Sequence, residues 1–183
     1  MPRIYLVRHG QAAGGFGEDL DPGLSELGWT QAKAARDALA GKGPLDVISS
    51  PLRRCQETAN PLSEQWGVTP KIVPEVAEIP SPTDDLTART EWLRSIMPGT
   101  WTEIGDLSLE TWRQNCVSAV QALQKDTVVF SHFIAINVIV GSIQQDDRMV
   151  VFRPNNCSIT TIDVAGDSMS LVSLGDEAET QVR

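Results

Sequence analysis

Four short apolar runs, each with helix-forming sequence after it, limit this chain to an α/β fold. The runs are RIYLV (3–7), LDVISS (45–50), KIVPEV (71–76) and DTVVFSHF (126–133). Each is short and carries β-branched residues, the pattern of a strand covered on both faces. Between them lie helical stretches. Ser25 is placed to cap LSELGWTQAKAARDALAG, which stops at Gly41; Ser50 and Pro51 are placed to open PLRRCQETANPLSEQWG, with Pro61 set to kink or split it. Ser108 is placed to cap LETWRQNCVSAVQALQK, whose Trp112, Cys116, Val120 and Leu123 share one face, and AINVIVGSI forms a last helix. SITTIDV and SMSLVSL read as two closing strands before a polar tail. Strands alternating with helices predict a three-layer α/β/α sandwich with a largely parallel central sheet.

A length of 183 residues suits one domain spanning the whole chain. Residues 77–107, rich in Pro, Thr, Asp and Trp, form a small helical insertion or lid with a short helix around DLTARTEWLRSIM. The net charge of −9 argues against nucleic acid or an anionic membrane as partner. The greasiest stretch, 127–141, is too short to cross a bilayer, and the N-terminal residues do not resemble a signal peptide. Three widely spaced cysteines without a CxxC pair point to reduced thiols in a cytoplasmic setting and to packing roles. The sequence carries no sign of the oligomeric state.

Ligands of open α/β sheets bind beyond the carboxyl ends of the strands. Both histidines lie there, His9 after RIYLV and His132 after TVVFS, and Arg53-Arg54 opens the helix after LDVISS. Arg8, His9, the Arg53-Arg54 pair and His132 on three strand ends suit a phosphoryl group: guanidinium forks and a helix N-terminus hold it, and a neutral imidazole can attack phosphorus. Other phosphate machinery is absent from the sequence. There is no GxxxxGK[ST], Leu20 stands where a dinucleotide fingerprint after Gly15 and Gly17 needs glycine, and no Cys has an Arg six residues on. No His-rich or acidic cluster calls for a metal, so the expected site needs no cofactor.

These residues resemble the histidine phosphatase superfamily, the phosphoglycerate-mutase-like proteins. RHGQ (8–11) matches its RHG signature, LSELGWTQA (24–32) its L-[ST]-x-x-G-x-x-Q-A helix start, SSPLRRCQETA (49–59) its SSPLxRAxxTA element, and VVFSHF (128–133) its Ser-His strand end. The resemblance implies that His9 is a nucleophile forming phosphohistidine, that Arg8 and Arg54 clamp the phosphoryl group, and that His132 stabilises its charge. Arg53 then reads as a solvated helix residue, and Gly10 as a position of close backbone approach. The family's leaving-group acid follows the third strand, where AEIPSP replaces the usual L-x-E and Gly-rich turn. Glu78 is preferred for it, with Glu75 in reserve. Gln11 is a candidate for binding phosphate or substrate, or for capping the loop. Arg89 and Arg94 can reach a second anionic group or form surface ion pairs, and Trp92, Trp101 and Trp112 fill the lid's small core.

The resulting expectation is a metal-independent phosphomonoester hydrolase acting on a small phosphorylated metabolite. The alternatives are a protein phosphohistidine phosphatase, a phosphoglycerate-mutase-type phosphotransferase, and a non-catalytic phosphate-binding module of the same fold.

Overall fold

Side chains of β1 (Arg3–Arg8) alternate between two cores, which makes this strand the centre of the molecule. Ile4 and Leu6 enter one core; Tyr5 and Val7 enter the other. The computed structural model describes residues 1–14 and 19–178. Residues 15–18 of the Gly-rich loop and 179–183 of the polar tail lie outside the described residues.

The other strands are β2 (Asp46–Ser49), β3 (Lys71–Ile72), β4 (Thr127–Ser131), β5 (Ile159–Ala165) and β6 (Ser168–Ser173), in the order β3-β2-β4-β1-β5-β6. The first four run parallel, while β5 and β6 close the sheet antiparallel. The helices are α1 (Glu26–Leu39), α2 (Arg53–Trp66), α3 (Leu86–Ile96), α4 (Trp101–Ile104), α5 (Leu107–Gln121) and α6 (Phe133–Gln144). On one face, α1 and α2 bring Ala35, Leu39, Cys55, Ala59 and Leu62 against Val47, Val128 and Phe130. On the other, α5 and α6 bring Cys116, Val120, Ile136 and Ile139 against Ile4, Leu6 and Val129. The fold is therefore the three-layer α/β/α arrangement expected. Parallel pairing of β1, β2 and β4 brings their carboxyl ends to one edge of the sheet.

Four local readings are corrected. The third strand is two residues long, not KIVPEV, because Pro74 has no N–H for a ladder and instead starts a 3-10 turn over Pro74–Val76. Ser50 does not cap α2, which begins at Arg53 with Leu52 in the cap position. The Arg53 N–H is taken by the Asp21 carboxylate at 2.8 Å, a cap supplied from 32 residues away. Pro61 lies buried inside α2 and neither splits nor ends it. Finally, Asp106 caps α5 in place of Ser108, accepting from the Ser108 and Leu109 N–H groups and from the Ser108 hydroxyl. The helix ends at Gln121, so Leu123 packs on the core from beyond it.

The segment 77–107 carries α3 and α4 between the end of the 3-10 turn and α5. Trp101 is buried there with Trp112 at 6.3 Å between ring centroids and the Arg113 guanidinium over its face, while Trp92 is partly buried against the main core. Trp101 belongs to the same core cluster as Ile4 and Leu6, and Trp92 and Trp112 pack against that cluster, so the tryptophans fill the main core and not a separate small core of the insertion.

Candidate active site

The edge where β1, β2 and β4 end collects four cationic or titratable side chains, Arg8, His9, Arg54 and His132, and one carboxyl, Glu78. The chain leaves β1 pinned on both sides: the His9 N–H donates to the Ser131 carbonyl at 3.1 Å and the Gly10 N–H to Thr58 Oγ1 at 3.0 Å. Gly10 is required by a close approach, since a Cβ there would stand 2.7 Å from the carbonyl oxygen of Gly28 in α1. From the loop before β5, Asn156 Nδ2 donates to the His9 carbonyl at 3.0 Å.

His9 Nδ1 lies 2.7 Å from the Gly10 carbonyl, which can only accept, so Nδ1 carries the proton. The lone pair is left on Nε2, and Arg54 Nε donates to it at 3.2 Å. The same guanidinium places Nη2 3.2 Å from His132 Nδ1. An arginine N–H can only donate, so His132 Nδ1 is unprotonated and its Nε2–H donates to Ser50 Oγ at 2.8 Å. The two rings sit edge to face with centroids 5.2 Å apart. Arg54, in the first turn of α2, therefore bridges two imidazoles whose tautomers are both set by fixed partners.

Burial and charge agree with that protonation. Burial first, then the Arg54 and Arg8 cations, push His9 down to about 3. The same causes, together with His9 itself, hold His132 well below its ordinary value. Arg8 lies across the site with its guanidinium 5.2 Å from the Phe133 ring centroid, and Nη1 donates to the Pro154 carbonyl at 2.9 Å. Its buried Nε has no hydrogen-bond partner among the described residues.

Of the two candidate acids, the structure brings Glu78 to this cluster. Its carboxyl accepts from the Ile134 and Ala135 N–H groups at the start of α6 and from its neighbour Ile79, each at 3.1 Å. Burial raises its pKa; these N–H groups and Arg54 oppose the rise without cancelling it. Glu75 is exposed on the 3-10 turn. Gln11 is also exposed, and its carboxamide oxygen accepts from the hydroxyl of Ser25, the α1 cap, at 2.9 Å. Arg53 is exposed and paired with Glu57 at 3.1 Å.

Sequence reasoning missed Ser50, Thr58, Cys55 and Asn156. Ser50 read as a helix cap, yet its place between the β2 end and Arg54 was the available signal. Cys55 read as packing, and its Sγ lies 3.3 Å from His132 Nε2. Asn156 comes from a loop 147 residues from His9, with no local signal.

A profile of the histidine phosphatase superfamily (branch 1) matches residues 4–177. The chain belongs to that superfamily. Among curated relatives, a glucosyl-3-phosphoglycerate phosphatase of Mycobacterium tuberculosis is 42% identical over 74 residues, 38% of this chain and 33% of that protein. The chain thus matches about a third of that relative's length. A Yersinia pestis protein named "probable phosphoglycerate mutase GpmB" is 28% identical over 188 residues, with 89% and 85% of the two chains covered. The solved structure of a phosphoserine phosphatase from Entamoeba histolytica superposes with a TM-score of 0.75 at 19% identity, covering 96% of this chain and 98% of that one. That similarity extends the shared fold along nearly the whole chain.

Proposed function

We propose that this histidine phosphatase superfamily member hydrolyses small phosphomonoesters through a phosphohistidine on His9. The observation that carries the reading is the His9 imidazole: buried, unprotonated, with Nδ1–H held by the Gly10 carbonyl and the Nε2 lone pair turned to Arg54. A nucleophilic histidine needs that tautomer, and its Nε2 lone pair is freed for phosphorus when the Arg54 N–H that it accepts turns to the substrate's phosphoryl oxygens. The names of the Mycobacterium and Entamoeba proteins, both phosphatases of small phosphorylated acids, support the same substrate class.

In the first step His9 Nε2 attacks phosphorus, the ester P–O bond breaks, and Glu78 gives its proton to the departing alkoxide. In the second, Glu78 takes a proton from a water molecule as its oxygen attacks phosphorus, the P–Nε2 bond breaks with its electron pair returning to His9, and inorganic phosphate leaves. A Glu raised by burial is suited to act as that acid and to take the proton back. Arg8 and Arg54 hold the equatorial oxygens. A dianionic phosphoryl group beside His132 opposes both the burial and the neighbouring cations that keep it neutral, so once Arg54 turns to the phosphate Nδ1 takes up a proton and donates to it. Arg8, Arg54 and His132 supply the charge stabilisation, and the proposed mechanism uses no metal. Among the described residues no group of three or more His, Cys, Asp or Glu is arranged to hold one. The chain functions in this reading as one domain, with 77–107 as its lid, in a cytoplasmic setting.

The test is hydrolysis of p-nitrophenyl phosphate in EDTA by the wild type and His9→Ala. Turnover that survives EDTA and disappears in the variant is expected; turnover retained by His9→Ala defeats the proposal. The Yersinia relative makes phosphoryl transfer between positions of one acid the second reading. Release of inorganic phosphate from 3-phosphoglycerate, in place of an isomeric ester, separates the two.

A further inference from the structure

On the side of His132 away from Arg54, two buried polar atoms meet one ring nitrogen. Ser50 Oγ lies 2.8 Å from Nε2, and Cys55 Sγ lies 3.3 Å from it. Ser50, Cys55 and His132 are all fully buried. The thiol is itself anchored: its S–H donates to the Ser131 carbonyl at 3.4 Å, the same carbonyl that accepts the His9 N–H. Burial pushes the Cys55 thiol up against the pull of Arg54, so it keeps that proton. Cys55 is also a departure within SSPLRRCQETA, since the family element carries alanine at that position.

The two atoms select differently. A hydroxyl can accept from Nε2–H or donate to a bare Nε2, so Ser50 alone suits either tautomer. A thiol whose proton is committed to a carbonyl offers only lone pairs to its other neighbours. Cys55 therefore favours a protonated Nε2, and it can take the hydroxyl proton of Ser50, which leaves Ser50 Oγ to accept from the ring. In the empty protein the Arg54 N–H on Nδ1 makes the same selection. Once Arg54 turns to a phosphoryl group, that constraint is gone and Cys55 remains. The tautomer then decides the charge that His132 presents. With Nε2–H retained, Nδ1 donates to phosphate only after taking up a proton, so the ring meets the dianion as an imidazolium. With Nε2 bare, Nδ1–H donates from a neutral ring and the hydrogen bond loses its charge assistance.

We propose that Cys55 is a positioning residue that keeps the proton of His132 on Nε2, so that this histidine meets the phosphoryl group as a cation. The catalytic consequence rests on the phosphatase reading above; the tautomer is observable without turnover.

The chain has two histidines, so long-range proton–nitrogen NMR spectra of histidine-labelled protein separate both rings, and His9→Asn assigns them. In mildly alkaline buffer, Arg54→Met removes the other constraint on His132, and the ring keeps the Nε2–H pattern. Adding Cys55→Ala to Arg54→Met gives Nδ1–H or a mixture of the two. Adding Cys55→Ser in its place keeps Nε2–H, because that hydroxyl can donate to the Ser131 carbonyl and accept from the ring. With Arg54 present, Cys55→Ala lowers kcat/KM on p-nitrophenyl phosphate about threefold to tenfold, the range of one weak hydrogen bond. Cys55→Ser recovers most of the loss, and Cys116→Ala, the same truncation in the opposite core, stays within twofold of wild type. An unchanged Nε2–H pattern in Arg54→Met/Cys55→Ala, or Nδ1–H in Arg54→Met alone, overturns the proposal. Absence of turnover by the wild type overturns the phosphatase reading, and the tautomer in the two Arg54→Met proteins still decides the role of Cys55.

Discussion

Lowering the pH should destabilise this protein through His9 by an amount that the structure sets. In the folded state burial and two arginines depress its pKa to about 3, against an ordinary value of 6.5. Between those values the unfolded chain binds a proton that the folded chain refuses, so stability is complete above pH 6.5 and falls as the pH drops toward 3. The full difference is about 5 kcal/mol, of which roughly 2.7 kcal/mol is already lost at pH 4.5. His9→Asn is the comparison, since its side-chain N–H can still reach the Gly10 carbonyl while nothing at the position titrates. Urea denaturation of both proteins at pH 7 and pH 4.5 gives the four stabilities required. Carboxylates titrate in both proteins, so the double difference reports position 9 together with its coupling to His132. Wild type should lose about 2–3 kcal/mol more than His9→Asn over this interval. Equal losses, within about 0.5 kcal/mol, would refute the claim that His9 is held neutral.

Two further outcomes follow from the site's geometry. Glu78→Gln should reduce kcat on glycerol 3-phosphate by about 10²–10³-fold but on p-nitrophenyl phosphate by less than about tenfold, because nitrophenolate leaves without a proton. Steady-state kinetics on both esters check this, and equal losses, or a matching effect of Glu75→Gln, contradict the assignment. Gly10→Ala should destabilise the protein by about 2 kcal/mol, roughly 5 °C in Tm, because the new Cβ meets backbone and not a movable side chain. A thermal melt unchanged within a degree would show that α1 can retreat at no cost.

The alternation of apolar runs and helices was enough to place the layers, and strand ends were enough to place Arg8, His9, the Arg53-Arg54 pair and His132 on one edge, with the family resemblance selecting Arg54 over Arg53. What escaped depends on contacts made across the chain. The Asp21 carboxylate takes the Arg53 N–H, while Ser50 accepts from the Leu52 N–H ahead of the helix and from His132 Nε2, whose tautomer Arg54 sets. No local pattern announces either event. Pro74 ended the third strand early, although the proline itself was visible in KIVPEV; the apolar pattern outweighed the missing N–H in the reading. Glu78 and Glu75 could not be separated by spacing, because only the docking of the turn against the start of α6 buries one and exposes the other. Arg89 is partly buried and Arg94 exposed for the same kind of reason, since the sequence of α3 does not say which face meets the sheet.

Rapid chemical quench during turnover of p-nitrophenyl phosphate, followed by peptide mapping in base, addresses the account at its centre. It predicts a phosphoryl group that is labile in acid and stable in base, located on His9, and absent from His9→Asn. A phosphoryl group on any other residue, or turnover that passes through no phosphoenzyme under conditions that trap one kinetically, would contradict it.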